Sequence, residues 1–187
     1  MTAPRDGDVG APARWRPVLF SFLEILPLSV FVVFARRAIP GEIDTWRQGF
    51  VVAGTVAALM FVVRRVLKTR FTPIVLGANF YLAAGAVAFI VNAAWVLAIY
   101  RSLRESAMFV AILLTGAVLA ACAPNGFADA PNPDRRRIRL GSTILLIATL
   151  GAIGVSIVFR GRVGFGGIMP FVALMIIQKS TSAWQRR

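Results

Sequence analysis

One acidic residue falls inside an apolar stretch of this chain, Glu24, in the run Phe22-Leu23-Glu24-Ile25-Leu26-Pro27. A carboxylate among hydrocarbon side chains must be protonated, paired with a cation or turned toward a wet cavity, because desolvation penalises its charged form. The chemistry this opens is a proton or cation site. The plainer reading is a carboxylate close enough to a membrane boundary to reach water or a neighbouring arginine, with Arg14 and Arg16 at a similar depth. Asn79 and Asn92 also interrupt an apolar stretch. Each can bind a neighbouring helix through a hydrogen bond of about 0.6–2 kcal/mol, or line a path for a polar solute.

Composition argues against other chemistry. The chain has no histidine, and its single cysteine, Cys122, stands among Ala120, Ala121 and Ala123 as a small packing residue. One thiol makes no internal disulfide, and the ligands of a metal cluster are missing, so neither metal nor cofactor is expected. Without histidine or an activated thiol there is no nucleophile–base pair, so an enzyme is not expected either. The segment Gly161-Arg162-Val163-Gly164-Phe165-Gly166-Gly167 follows no predicted strand and lacks the lysine of a phosphate loop. It reads as a tight turn.

The elements that must position these residues follow from hydropathy. Apolar residues make up 58% of the 187-residue chain, and the mean hydropathy is +0.74. Soluble domains run near 45–50% apolar, and a soluble fold of this size has too much surface to hide the excess. Six apolar windows stand out, at 17–35, 49–63, 73–99, 107–123, 140–159 and 164–178. Of 21 basic and 8 acidic residues, only Glu24 lies inside a window. That segregation matches the cost of a charge in hydrocarbon, about 2.5–3.5 kcal/mol on insertion scales. It also removes nucleic acid as the meaning of the +13 net charge.

The expected architecture is all-α, a polytopic transmembrane bundle of six spans. The rival count is five, with the Gly-rich 164–178 segment re-entrant or interfacial. Residues 1–13 read as a disordered tail, 14–179 as one membrane domain and 180–187 as a C-terminal tail. Pro27 and Pro170 are expected to kink their helices. The second span is expected from Trp46 to Leu67, with Arg64 and Arg65 reaching the head groups. The third window is too long for an upright span, and Asn92 marks the expected break. If the helix continues beyond it, Arg101 and Glu105 can pair. With six spans, fourteen basic residues fall on one side and seven on the other. The richer side should be cytoplasmic and holds both termini. Arg135, Arg136, Arg137 and Arg139 belong to it, as topology determinants or anionic-lipid contacts.

The stretch Phe22-Leu23-Glu24-Ile25-Leu26-Pro27-Leu28-Ser29-Val30-Phe31 resembles the opening of the intracellular septation protein A-like family, small bacterial inner-membrane proteins of similar length. Phe22, Leu23, Leu26, Pro27 and Leu28 match its first span, and Glu24 falls at its acid. The resemblance covers about ten residues, and the family usually reads as five spans. It implies the bacterial inner membrane and a role in the cell envelope or division. That role would be exercised through contacts with other membrane proteins or with further copies of the chain, and not through catalysis. A small transporter or channel subunit using Glu24 is the alternative.

Overall fold

A computed structural model describes the backbone of residues 15–37, 43–69, 71–129 and 134–186, with side chains from residue 23 in the first helix and residue 45 in the second. Seven α-helices follow in order: α1 (Trp15–Arg37), α2 (Ile43–Val66), α3 (Pro73–Ile90), α4 (Ala94–Leu103), α5 (Ser106–Cys122), α6 (Arg135–Val158) and α7 (Met169–Gln185). A π-helical turn, Val163–Ile168, runs directly into α7. There is no strand among the described residues. The tail expected over 1–13 lies outside them.

Each apolar window became a helix, and each helix ends where backbone chemistry requires it. Pro73 opens α3, where its missing N–H is an orphan donor in any case. Asp134 caps α6, its carboxylate accepting from the Arg136 N–H at 2.8 Å. Two helices close by the same device. At the end of α2, Lys68 turns left-handed (φ 51°), and the Thr69 N–H reaches back to the Arg64 carbonyl at 3.1 Å. At the end of α3, Asn92 does the same (φ 51°), and the Ala93 N–H binds the Ala88 carbonyl at 2.9 Å. Both are the six-to-one bond of a Schellman cap, and asparagine is among the few side chains that tolerate that backbone.

The overlong third window is therefore broken at Asn92, as expected. The ten-residue α4 follows, and the axis then bends by 105° into α5. Arg104 at that bend has φ 50°. This ends the helix before Arg101 and Glu105 can face each other. The Glu105 carboxylate instead accepts from the Gly161 N–H at 3.4 Å, so the expected ion pair is absent among the described residues.

Among the described residues four helices are long and apolar enough to cross a bilayer, or five if the bent α4–α5 pair is one span. One of the four is Val163–Gln185, 23 residues, which joins the π-helical turn to α7. The segment read as a tail from 180 thus continues the helix to Gln185, with Thr181 and Gln185 buried. Pro170 sits in the first turn of α7, not in mid-helix. It has no N–H for the Gly166 carbonyl, and the wider π-turn precedes it. Pro27 lies inside an unbroken α1.

α3 is central, packed by α1, α2 and α5, and the bundle continues from α5 through α6 to α7. Close approach is set by glycines. A Cβ on Gly54 would stand 2.8 Å from the Leu82 carbonyl oxygen of α3, and one on Gly77 would stand 2.7 Å from the Ile112 Cα of α5. Around Phe50 an aromatic cluster joins α1, α2, α3 and α4. Phe31 lies 4.7 Å from it, Tyr81 and Tyr100 both 5.4 Å, and the two tyrosine rings stack at 5.1 Å. Tyr100 donates its hydroxyl proton to the Tyr81 carbonyl at 2.8 Å.

The chain after α5 folds back into the bundle. Phe127 is fully buried against Gly116, and its N–H donates to the Ser142 hydroxyl at 2.9 Å. Ser182 donates to the Ala128 carbonyl at 2.7 Å, and the Gln185 amide donates to the Arg137 carbonyl at 2.8 Å. Ser142→Ala removes the acceptor of the Phe127 N–H and should lower stability by about 1–3 kcal/mol, the cost of an unsatisfied buried donor. Hydrogen exchange at Phe127 should quicken with it. Unchanged exchange would mean that the tucked segment is held by packing alone.

Candidate functional site

Glu24 lies nine residues past the start of α1, and its carboxylate is buried. Arg64, in the last turn of α2, places a guanidinium nitrogen 2.7 Å from one of its oxygens, and both side chains are 7% exposed. The other oxygen accepts a hydrogen bond from the Thr72 hydroxyl at 2.7 Å, and the first also accepts from the Thr72 N–H at 3.3 Å. Thr72 is the residue before α3, and its hydroxyl does not cap that helix because it is committed to Glu24. Phe71 covers the other side of the cation, with the guanidinium carbon 5.0 Å from its ring centre. Three helices are thus tied by one carboxylate.

The local fold accounts for the position of Arg64. Its carbonyl anchors the Schellman cap at Lys68 and Thr69, so the turn that ends α2 also fixes the backbone carrying the guanidinium. The expectation that Arg64 snorkels to the head groups does not hold. Desolvation of two charges is offset only where geometry and added hydrogen bonds are good, and here the pair has both. Arg65, the next residue, is exposed, as are Arg135, Arg136, Arg137 and Arg139. Arg137 has an ion pair with Asp134 at 3.8 Å and lies over the Trp184 ring at 5.9 Å.

The arrangement gathers one of the three polar candidates and not the other two. Asn79 is fully buried in α3, two turns beyond Thr72, and neither atom of its amide has a hydrogen-bond partner among the described residues. Asn92 is exposed at the helix break. Cys122 is exposed at the end of α5 and is not a packing residue. No group of three or more metal-type ligands occurs among the described residues.

The residues that sequence reasoning passed over are Arg64 as a partner and Thr72. Thr-Pro ahead of an apolar run is a helix-start signature. It would have located Thr72 at the same end of the bundle as Glu24, one connection from Arg64.

Chemically, a carboxylate with a bound guanidinium and two hydrogen bonds is a closed group. Its contacts join α1 to the end of α2 and the start of α3. No family model, curated protein or solved structure matches this chain, so the reading of its role rests on this geometry and on the ten residues of α1.

Proposed function

We propose that the chain is a non-catalytic, multi-pass membrane protein that acts through helix contacts with other membrane proteins, in the setting of the bacterial inner membrane and envelope. The observation that carries this reading is the closed Glu24–Arg64–Thr72 group, in which the sole intramembrane acid serves to join helices. The reading takes α1, a 23-residue helix, as a further crossing. With α5 as the span of the bent pair and α4 lying at the boundary, six crossings result. Both termini then lie with the fourteen basic residues, on the cytoplasmic side. The resemblance of residues 22–31 to the septation protein A-like family supports the envelope setting.

Glu24→Leu/Arg64→Met, which removes both charges and strands neither, should leave partner capture by in-cell photocrosslinking largely intact, because the clamp is structural. Reconstituted vesicles should show no proton or solute flux above empty controls. Flux that Glu24→Gln abolishes would overturn the proposal. It would favour the second reading, a small transporter or channel subunit. One observation speaks for that alternative: the buried amide of Asn79, polar and unpartnered in the middle of the bundle.

A further inference from the structure

α1 and α7 flank a groove of ≈ 590 Å³ floored by Tyr81 and Met108. One wall is the α1 stripe Ile25, Leu28, Val32 and Arg36; the other runs along α7 to Lys179. The stripe from Ile25 to Arg36 spans about 16 Å at 1.5 Å per residue. Between its charged ends the lining is almost wholly apolar, Phe31, Val32, Phe171 and Met175 among it, which suits a hydrocarbon chain.

The two ends differ in charge. At one end Arg36 and Glu105 line the groove together, so their charges cancel locally. At the other end Lys179 stands exposed, with no ion pair among the described residues and no acid in the lining near it. We infer that the groove between α1 and α7 binds one acyl chain of an anionic phospholipid, whose phosphate rests against the Lys179 ammonium. The inference goes beyond the proposed function and needs only that the bundle resides in a bilayer.

The full chain, reconstituted with equal phosphatidylglycerol and phosphatidylcholine and released into mild detergent, would be weighed by native mass spectrometry. One tightly held phosphatidylglycerol per chain is expected, favoured about fivefold, the preference that one basic group near an anionic surface supplies. Lys179→Gln should bring the two lipids to parity. Arg135→Gln with Arg136→Gln, exposed and outside the groove, should leave the preference unchanged. Ser29→Trp, on the groove wall, should abolish the adduct. Parity in the unaltered protein would overturn the assignment, as would a two-chain species depleted by Ser29→Trp, since a second copy would then fill the groove. Should Ser29→Trp fail to fold, the comparison between the native chain and Lys179→Gln decides the matter.

Discussion

Replacing Arg64 with alanine should lower the stability of the bundle by about 3–5 kcal/mol, the cost of stranding a buried charge without its partner. Among the described residues, the Glu24 carboxylate would keep the two hydrogen bonds from Thr72, at 2.7 and 3.3 Å. Phe71 would lose the cation packed on its ring. Removing both charges is a different perturbation. In Glu24→Leu/Arg64→Met, nothing ionic is left to desolvate, and similar volumes fill the space. That double variant should recover most of the loss, because buried pairs are often replaced by apolar side chains at little cost. Unfolding by SDS titration in mixed micelles, followed by circular dichroism, provides the cycle. A single variant within about 1 kcal/mol of the parent, well under the cost of a stranded charge, would show that Glu24 and Arg64 do not form the clamp described above.

The second large effect concerns the glycines at the two faces of α3. Gly54→Ala forces a methyl group onto Ala86 and against the Leu82 carbonyl at 2.8 Å, and Gly77→Ala forces one to 2.7 Å from the Ile112 Cα. Both obstacles include backbone, which cannot rotate away. Each change should cost about 1–3 kcal/mol, the usual penalty of overpacking. The two act at separate interfaces, α2 with α3 and α3 with α5, so the double variant should lose close to the sum. Gly151→Ala is the matched control. Nothing lies within 4 Å of a Cβ there, in the middle of α6, so the same substitution should be neutral or stabilising by up to about 1 kcal/mol through helix propensity. Equal effects at all three positions in the same titration would mean that close packing is not what the first two glycines provide.

Hydropathy alone made most of the bundle legible. A helix covers most of each of the six windows, because the exclusion of charge from hydrocarbon leaves sharp edges in composition. The break at Asn92 was legible too, since a polar residue with a tolerance for left-handed backbone stood in a stretch too long for one span. Arg64 was not. It stands beside Arg65, with Lys68 close by, and a local run of basic residues looks like a solvated helix end. Its burial depends on Glu24, forty residues earlier, and on the cap that holds the end of α2. Tertiary pairing of this kind leaves no mark in local composition. The tilt of α4 was hidden for a related reason: its ten residues are apolar enough to read as a continuation of α3, and only the backbone at Asn92 and Arg104 turns them aside.

That turned helix bears on the thickness of membrane the protein suits. α3 has 18 residues and α5 has 17, heights of about 27 and 26 Å at 1.5 Å per residue, against a hydrocarbon core of about 30 Å. Because α4 swings away at 105° to α5, it adds nothing to the height at the centre of the bundle. A bilayer of ordinary depth exceeds these two helices by a few ångströms; α3 is packed among α1, α2 and α5, so the shortfall meets lipid chiefly along α5, at a fraction of a kcal/mol per ångström of mismatch. The membrane would thin locally on the α5 side and not around α2 and α6, which have 24 residues each.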